Sequence, residues 1–329
     1  MFRLLCIVAM MFALFVPSVV ATDGPAIPRR PVHTYSIVAF DSVTGQFGAA
    51  VQSHWFKVAD VIWARSGVGA VATQSLADFN YGPLGLAMMQ AGKSATQAME
   101  GVLASDPQSR VRQVAMIDKN GQALAHTGSH CIDEAGHHVG HHYSVQANLM
   151  EKATVWPAMA EAFENSNGDL AERMLVALEA AQAEGGDIRG KQSAALLVVS
   201  GEPTGRDWSD RLFDLRVDDS PEPLVELRRL VKVARAYEHM NQGDLAIETG
   251  DFTRAEREYG MAATLAPGNL EVRYWQAVTL VGVGQTDMAL PIFRDIFAQD
   301  SKWRDLIPRL VKAELLQADS AVIEKIMKQ

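Results

Sequence analysis

The residue best suited to nucleophilic chemistry is Thr34, which stands at the head of the first β-rich stretch of the chain. A threonine becomes a competent nucleophile when it is the first residue, because its own α-amine can then accept the hydroxyl proton. That chemistry would require cleavage of the bond between His33 and Thr34. Ser36 lies two residues further on and would share a face of the strand with Thr34, where it could assist by hydrogen bonding. The simpler alternative is that Thr34 is only a β-forming strand residue.

A β-hairpin is predicted to position these side chains. Residues 35–41 are rich in β-forming types, Thr44 and Gly45 supply turn chemistry, and residues 46–53 continue as a strand of small and apolar residues. A strand with so little side-chain bulk suits the centre of a sheet or the lining of a site.

Histidines are concentrated further along, where six of the nine fall between positions 126 and 142. The spacing of the last four could ligate a metal ion if the segment were helical. Two glycines within the same segment argue against a helix. We therefore predict a polar, solvated loop over residues 128–142, at the mouth of any pocket, and neither a metal nor another cofactor.

The composition is that of an ordinary globular protein, with 48% hydrophobic and 21% charged residues over a length of 329. A formal net charge of −9 argues against general nucleic-acid binding, which needs a basic surface. No glycine-rich phosphate loop follows a predicted strand, so a nucleotide-binding fold has little support.

The first residues predict export. Arg3 precedes an apolar run over residues 4–16, and Val19, Val20 and Ala21 fit a small-residue cleavage site. Residues 1–21 are therefore predicted to be a signal peptide, which implies a periplasmic or secreted protein; an uncleaved N-terminal anchor is the alternative. Residues 22–33 contain three prolines and predict an extended leader. After signal removal we expect no transmembrane span, and Cys131 is then the lone cysteine.

Two domains are predicted beyond the leader. In residues 34–220, strands come in adjacent runs with helices grouped between them, which favours antiparallel sheets with helices on their faces. Residues 221–329 are predicted to be entirely helical. Glycine, alanine and aromatic positions recur there with an offset of 34, as in the pairs Gly250/Gly284, Ala255/Ala289 and Tyr259/Phe293. That period is typical of tetratricopeptide helix pairs, which we expect to lean on the first domain or on another subunit.

Several stretches between positions 34 and 230 resemble, in order, a bacterial family known only as domain of unknown function 1028. They are TYSIVAFDSVTGQFGAAVQS, ARSGVGAVATQS, YGPLGLAMMQAGKSATQAM, HCIDEAGHHVGHHYSVQANLM, GGDIRGKQSAALLVV and DLRVDDSPEPLVELRRL. The resemblance implies an α+β fold, the four-layer αββα sandwich of N-terminal nucleophile hydrolases, a group that includes proteasome subunits and amide hydrolases. A helical extension also occurs in relatives, where it has been associated with peptidoglycan binding.

The resemblance implies Thr34 as the nucleophile, and Asn148, with Gln146, as a donor to an oxyanion. Other polar residues at strand ends or in matched loops become candidates for the substrate pocket: Ser36, Ser53, Gln74, Asp133, His137, Arg189 and Gln192. Structural alternatives stand beside these roles. Asp133 could cap a loop, Arg189 could pair with Asp187, and the glutamines could satisfy buried backbone groups. The lysine that proteasome subunits use cannot be identified, and Lys57 is the nearest in sequence.

Two functions follow from these observations. The first is an exported amide-bond hydrolase of N-terminal nucleophile type, acting on a small amide or peptide-like substrate. The second is a non-catalytic binding protein that keeps the hydrolase-like fold and uses its helical region to hold a protein or peptidoglycan partner. Both are compatible with a homo-oligomer, and the mass of the mature protein would distinguish them.

Overall fold

The computed structural model describes residues 34–329, in which two antiparallel β-sheets and ten α-helices form a mixed α+β fold with a helical C-terminal region. The predicted signal peptide and leader, residues 1–21 and 22–33, lie outside the described residues. Within residues 34–329, every helix falls short of the length or apolar character that crossing a bilayer requires.

The larger sheet has six strands in the order β10-β9-β2-β1-β8-β7. Their bounds are β1 Thr34–Phe40, β2 Phe47–Ser53, β7 Gly136–Gly140, β8 Tyr143–Ala147, β9 Ser193–Val199 and β10 Arg211–Val217. The predicted first hairpin is confirmed, since β1 and β2 pair antiparallel with Thr34 opposite Ser53. Strand β1 lies between β2 and β8, so its backbone is hydrogen-bonded on both sides.

The smaller sheet has four strands in the order β3-β4-β5-β6. They are β3 Ile62–Arg65, β4 Gly69–Ser75, β5 Arg112–Asp118 and β6 Ala123–Thr127. Strands β5 and β6 form a second hairpin, whose turn ends at Gly121 with a φ of 73°. A left-handed conformation of this kind is adopted by glycine without steric cost.

Alternation along each strand divides the apolar residues among three cores. Between the sheets, small residues such as Val38 and Ala49 meet Ala72 and Ala115. On the outer face of the six-stranded sheet pack α3, Val155–Asn165, and α4, Leu170–Ala183. On the outer face of the four-stranded sheet pack α1, Tyr81–Gln90, and α2, Ala95–Ser105.

The prediction of a loop over residues 128–142 is wrong in its second half, where Gly136–Gly140 forms β7 and pairs with β8. This edge strand exposes His137 and His138 and therefore carries no alternating apolar signal. Its glycines allow close packing. A Cβ at Gly136 would lie 2.4 Å from the ring of Trp156, and a Cβ at Gly140 would lie 2.1 Å from the ring of Tyr143.

The C-terminal region is helical throughout, as predicted. Its helices are α5 Pro223–Glu248, α6 Phe252–Leu265, α7 Leu270–Gly282, α8 Thr286–Gln299, α9 Lys302–Lys312 and α10 Ser320–Met327. The repeated alanine and aromatic positions, Ala255/Ala289 and Tyr259/Phe293, are buried, whereas Gly250 and Gly284 are exposed just after α5 and α7 with φ of 74° and 79°. Where α5 packs on α6, a Cβ at Gly243 would come within 2.7 Å of the Tyr259 ring. The first turns of α5 bury Leu224, Leu227 and Val231 in the core that covers the six-stranded sheet.

Candidate functional site

A cluster of buried polar side chains lies between the two sheets, at the end where β1 begins. We call it the intersheet polar cluster; its members, all 0% exposed, are Thr34, Ser36, Ser53, Gln74, Gln113, Ser144, Gln146 and Asn148. Strand alternation places them there, because Val38 packs between the sheets and Thr34 and Ser36 share its face. Burying a polar group without a partner costs about 1–3 kcal/mol, so these side chains must hydrogen-bond to one another or to the backbone.

Thr34 is held by its hydroxyl and by its carbonyl. Its Oγ1 donates to Ser53 Oγ at 3.1 Å. Its carbonyl oxygen accepts from the Asn148 backbone N–H at 3.1 Å, from Asn148 Nδ2 at 3.4 Å and from Gln74 Nε2 at 3.0 Å. The structure thus brings together Thr34 and Asn148, although they are 114 positions apart.

Gln113 of β5 and Ser144 of β8 are the members of the cluster that were not predicted from the sequence, and the Gln113 side chain reaches furthest through it. Its Oε1 accepts from Gln74 Nε2 at 2.6 Å and from Asn148 Nδ2 at 2.9 Å. Its Nε2 faces Thr127 Oγ1 at 2.8 Å and the carbonyl oxygens of Gly136 and Ala147 at 3.1 and 2.8 Å. A sequence signal existed, because Gln113 falls in register with the inward-facing alanine and isoleucine of the same strand.

Ser36 and Gln146 form a second layer of the cluster, further along β1 and β8. Ser36 Oγ donates to Gln74 Oε1 at 2.6 Å and accepts from Gln146 Nε2 at 2.6 Å. Ser144 Oγ donates to Gln146 Oε1 at 3.0 Å. The amide nitrogen of Gln146 is therefore engaged by Ser36, and the carboxamides that contact Thr34 are those of Asn148 and Gln74.

His137 touches the edge of the cluster through Thr127. Its Nδ1 lies 2.8 Å from Thr127 Oγ1, the same oxygen that accepts from Gln113. Desolvation of the ring, and then the nearby His126 and His138, lower the pKa of His137 below its ordinary value. Within residues 34–329, the histidines and acidic residues form no group of three that could hold a metal ion.

The remaining predicted site residues lie outside the cluster. Asp133 is exposed in the loop before β7. Arg189 pairs with Asp187, which is only 3% exposed, through Nη2–Oδ2 and Nε–Oδ1 distances of 2.6 and 3.0 Å. Gln192 donates to Asp219 Oδ1 at 3.1 Å. For Arg189 the pairing matches the structural alternative that the sequence left open.

A different feature supplies a large concavity. A groove of about 1070 Å³ runs along the free edges of β3 and β10. Its lining carries charges of both signs, among them Asp60, Arg65, Asp214 and Arg216, and it includes none of the predicted site residues.

The region of the two sheets is similar to known proteins. Residues 34–227 match the model of a family of unknown function, DUF1028. The crystal structure of protein SPO2555 from Silicibacter pomeroyi, described by the same family model, is 29% identical with a TM-score of 0.54, over 61% of this chain and 88% of that one. No curated protein matches the chain.

Proposed function

The chain belongs to the family of unknown function DUF1028, and we propose that residues 34–220 form an exported amide-bond hydrolase whose nucleophile is Thr34. The observation that carries the proposal is the environment of Thr34, which heads β1 with its hydroxyl on Ser53 and its carbonyl on the amides of Asn148 and Gln74. The substrate class that suits this chemistry is a small amide or peptide-like compound.

The layering of the fold supports the same proposal. Helices α1 and α2 cover one sheet, α3 and α4 cover the other, and a core of small residues separates the sheets. This helix–sheet–sheet–helix order is the arrangement expected of N-terminal nucleophile hydrolases, in which the nucleophile begins a central strand. Strand β1 is central in the six-stranded sheet.

The proposed reaction begins with cleavage between His33 and Thr34, which frees the α-amine of Thr34. That amine takes the hydroxyl proton while Oγ1 adds to the substrate carbonyl, and Asn148 Nδ2 donates to the developing oxyanion the hydrogen that otherwise faces the Thr34 carbonyl at 3.4 Å. The proton then passes to the leaving amine as the carbon–nitrogen bond breaks. Water hydrolyses the resulting ester and restores the hydroxyl. Since Thr34 is fully buried in the uncut chain, the proposal requires that cleavage also give access to it.

The alternative is a non-catalytic binding protein, and two observations favour it. Asn148 Nδ2 is engaged by Gln113 Oε1, as in a purely structural network. The large groove opens at the edges of β3 and β10, among residues other than those of the intersheet polar cluster. A protein of this kind would keep the layered fold without cleaving its own chain.

Intact mass spectrometry of the exported protein tests the proposal. We expect the wild-type chain to begin at Thr34, Thr34→Ser to be cut at the same bond, and Thr34→Ala to retain residue 33. The serine variant is the matched control because it keeps the hydroxyl. If the wild-type chain and the alanine variant both begin at residue 22, the result would support the binding protein.

For residues 221–329 we propose tetratricopeptide-like helix pairs that contact a protein or peptidoglycan partner. A groove of about 440 Å³ between α6, α7 and α8 supports this, and Met288 in its lining is 60% exposed. Co-sedimentation of the full chain with purified peptidoglycan tests the peptidoglycan arm. Met288→Glu should reduce sedimentation, whereas Met261→Glu, an exposed methionine of α6 outside the groove, should not. Equal sedimentation of the two variants and the wild type would contradict a role for this groove.

A further inference from the structure

We infer that Gln113 is a positioning residue, which fixes the orientation of the Asn148 carboxamide beside Thr34. The inference rests on the proposed function and adds a residue that contacts neither the substrate nor the nucleophile. A carboxamide can turn by 180° and exchange its donor and acceptor ends, so an asparagine serves as an oxyanion donor only if something holds its NH2 group in place.

The orientation of Gln113 itself is determined by its surroundings. Its Nε2 faces the carbonyl oxygens of Gly136 and Ala147, which can only accept hydrogen bonds. These two residues are directly opposite one another on β7 and β8. A reversed Gln113 would place its own oxygen against both carbonyl oxygens, and none of these three atoms could donate a hydrogen bond.

The orientation of Gln113 constrains the orientation of the Asn148 and Gln74 carboxamides. Because Oε1 of Gln113 is the acceptor end, the groups facing it must be donors, and these are Asn148 Nδ2 at 2.9 Å and Gln74 Nε2 at 2.6 Å. Both nitrogens then also point to the carbonyl oxygen of Thr34. The Thr34 carbonyl and, through Gln113, two further backbone carbonyls of the six-stranded sheet together determine which end of Asn148 faces Thr34.

The outer end of the chain of contacts runs through Thr127. Its Oγ1 accepts from Gln113 Nε2, which leaves its own hydrogen free to be donated to Nδ1 of a neutral His137. Loss of this hydroxyl would weaken the hold on Gln113 without touching Asn148 or Thr34. Replacing Thr127 is therefore a second and milder way to perturb the contacts that orient Gln113 and Asn148.

The rates at which two electrophiles label Thr34 distinguish a positioning role of Gln113 from a role in folding. A β-lactone acylates a hydroxyl by ring opening, through a tetrahedral oxyanion, and adds its whole mass to the protein. A vinyl sulfone alkylates the same hydroxyl by conjugate addition, in which the oxygen–carbon bond forms at the alkene and a proton moves to the adjacent carbon, with no carbonyl oxyanion. If Gln113 positions an oxyanion donor, its loss should slow the first reaction and spare the second.

The experiment follows labelling of Thr34 by intact mass in wild type, Gln113→Met, Asn148→Ala and Thr127→Val, with Gln122→Met, an exposed glutamine, as the matched control. Removing an oxyanion donor costs on the order of 10²-fold in rate, so we expect a lactone rate lowered about 10- to 100-fold in Gln113→Met and Asn148→Ala. The sulfone rate should stay near that of the wild type, and Thr127→Val should lower the lactone rate by a smaller factor.

The outcomes distinguish the two proposals. Equal changes of both rates in Gln113→Met, or no change in either, would overturn the positioning role while Thr34 remained a nucleophile. Should Gln113→Met fail to fold, as judged by circular dichroism, an unchanged ratio of lactone to sulfone rates in Thr127→Val would overturn it instead. A wild-type protein labelled by neither reagent would overturn the hydrolase proposal and this inference with it.

Discussion

The contact between α4 and α5 depends on Arg228, and replacing this residue with methionine should destabilise the protein. Its guanidinium donates from Nε and Nη2 to the two carboxylate oxygens of Glu179 at 2.5 and 2.7 Å, and from Nη1 to Glu172 at 2.8 Å. Methionine keeps the apolar stem and the helix propensity but removes all three bonds.

The magnitude follows from the exposure of the pair. The Arg228 side chain is 30% exposed, so its environment is intermediate between surface and interior. A surface ion pair contributes about 0.2–1 kcal/mol to stability, and a buried hydrogen bond to a charged group contributes about 1.5–3 kcal/mol. We expect the free energy of unfolding to fall by about 2 kcal/mol, since the substitution also takes the guanidinium away from the Glu179 carboxylate, whereas Glu172 keeps Arg235. For a folded chain of about 300 residues, with an unfolding entropy of about 2.1 cal/mol/K per residue, that corresponds to a Tm lower by roughly 3 °C.

The matched control is the next residue, Arg229. It pairs with Glu226 on the same helix at 2.6 and 2.8 Å, but its side chain is 58% exposed. Arg229→Met changes the net charge and helix propensity in the same way, and we expect little change in Tm. Differential scanning calorimetry of both variants makes the comparison. Equal losses of Tm would refute the assignment of the stability to the α4–α5 contact.

Acidification provides a second readout of the same ion pairs. Burial alone would raise the pKa of Glu172, but hydrogen bonds and charges from Arg228 and Arg235 outweigh it and hold this pKa below its ordinary value. Such a carboxylate stabilises the folded state above the unfolded pKa of about 4.3, and this contribution is lost as the pH falls through the lower folded value. The Tm difference between wild type and Arg228→Met should therefore narrow below about pH 4. A difference that is constant from neutral to acidic pH would contradict this account.

Urea unfolding tests three further predictions. Gly69→Ala should lower the free energy of unfolding by more than about 3 kcal/mol, because φ is +149° and a Cβ would lie 2.1 Å from a carbonyl oxygen of β5. The control is Gly92→Ala, which should cost only about 1 kcal/mol, because φ is +89° but no other described atom lies within 4 Å of its Cβ. Equal losses would contradict the steric argument. Phe293→Ala should cost about 3–5 kcal/mol, since the ring is fully buried among the C-terminal helices, and a loss below about 1 kcal/mol would contradict that packing. Ser94→Ala removes the capping box at the start of α2 and should cost about 1 kcal/mol, and unchanged stability would argue that the cap contributes nothing.

Local signals explain which parts of the fold could be predicted from the sequence. The hairpin of β1 and β2 was predictable because its turn residues and β-forming strands are contiguous. The helical C-terminal region was predictable because its glycine, alanine and aromatic positions recur with a fixed offset. Strand β7 was not predictable, because it is an exposed edge strand that begins and ends with glycine. Its strand conformation depends on pairing with β8 rather than on the types of its own residues.

The candidate site was predictable only in part. Thr34, Ser36, Ser53, Gln74, Gln146 and Asn148 do meet in one cluster. The partner of each depends on strand pairings between distant segments: Gln113 is separated from Asn148 by 35 positions and from Gln74 by 39. Gln113 also lies outside the stretches that carry the family resemblance. Arg189 could not be assigned from the sequence, because only the folded chain shows how closely it is bound by Asp187.

The reach of Gln113 across the sandwich has a mechanical consequence. At this end of the interior, Gln113 and Gln74 of the four-stranded sheet reach backbone carbonyls of the six-stranded sheet, whereas elsewhere alanine and valine side chains fill the space between the sheets. The sheets therefore cannot slide past one another here without breaking several hydrogen bonds at once. A ligand entering between them would have to fit the space that these amides span or displace their hydrogen bonds, and shortening Gln113 to asparagine would remove its reach to the carbonyls of Gly136 and Ala147.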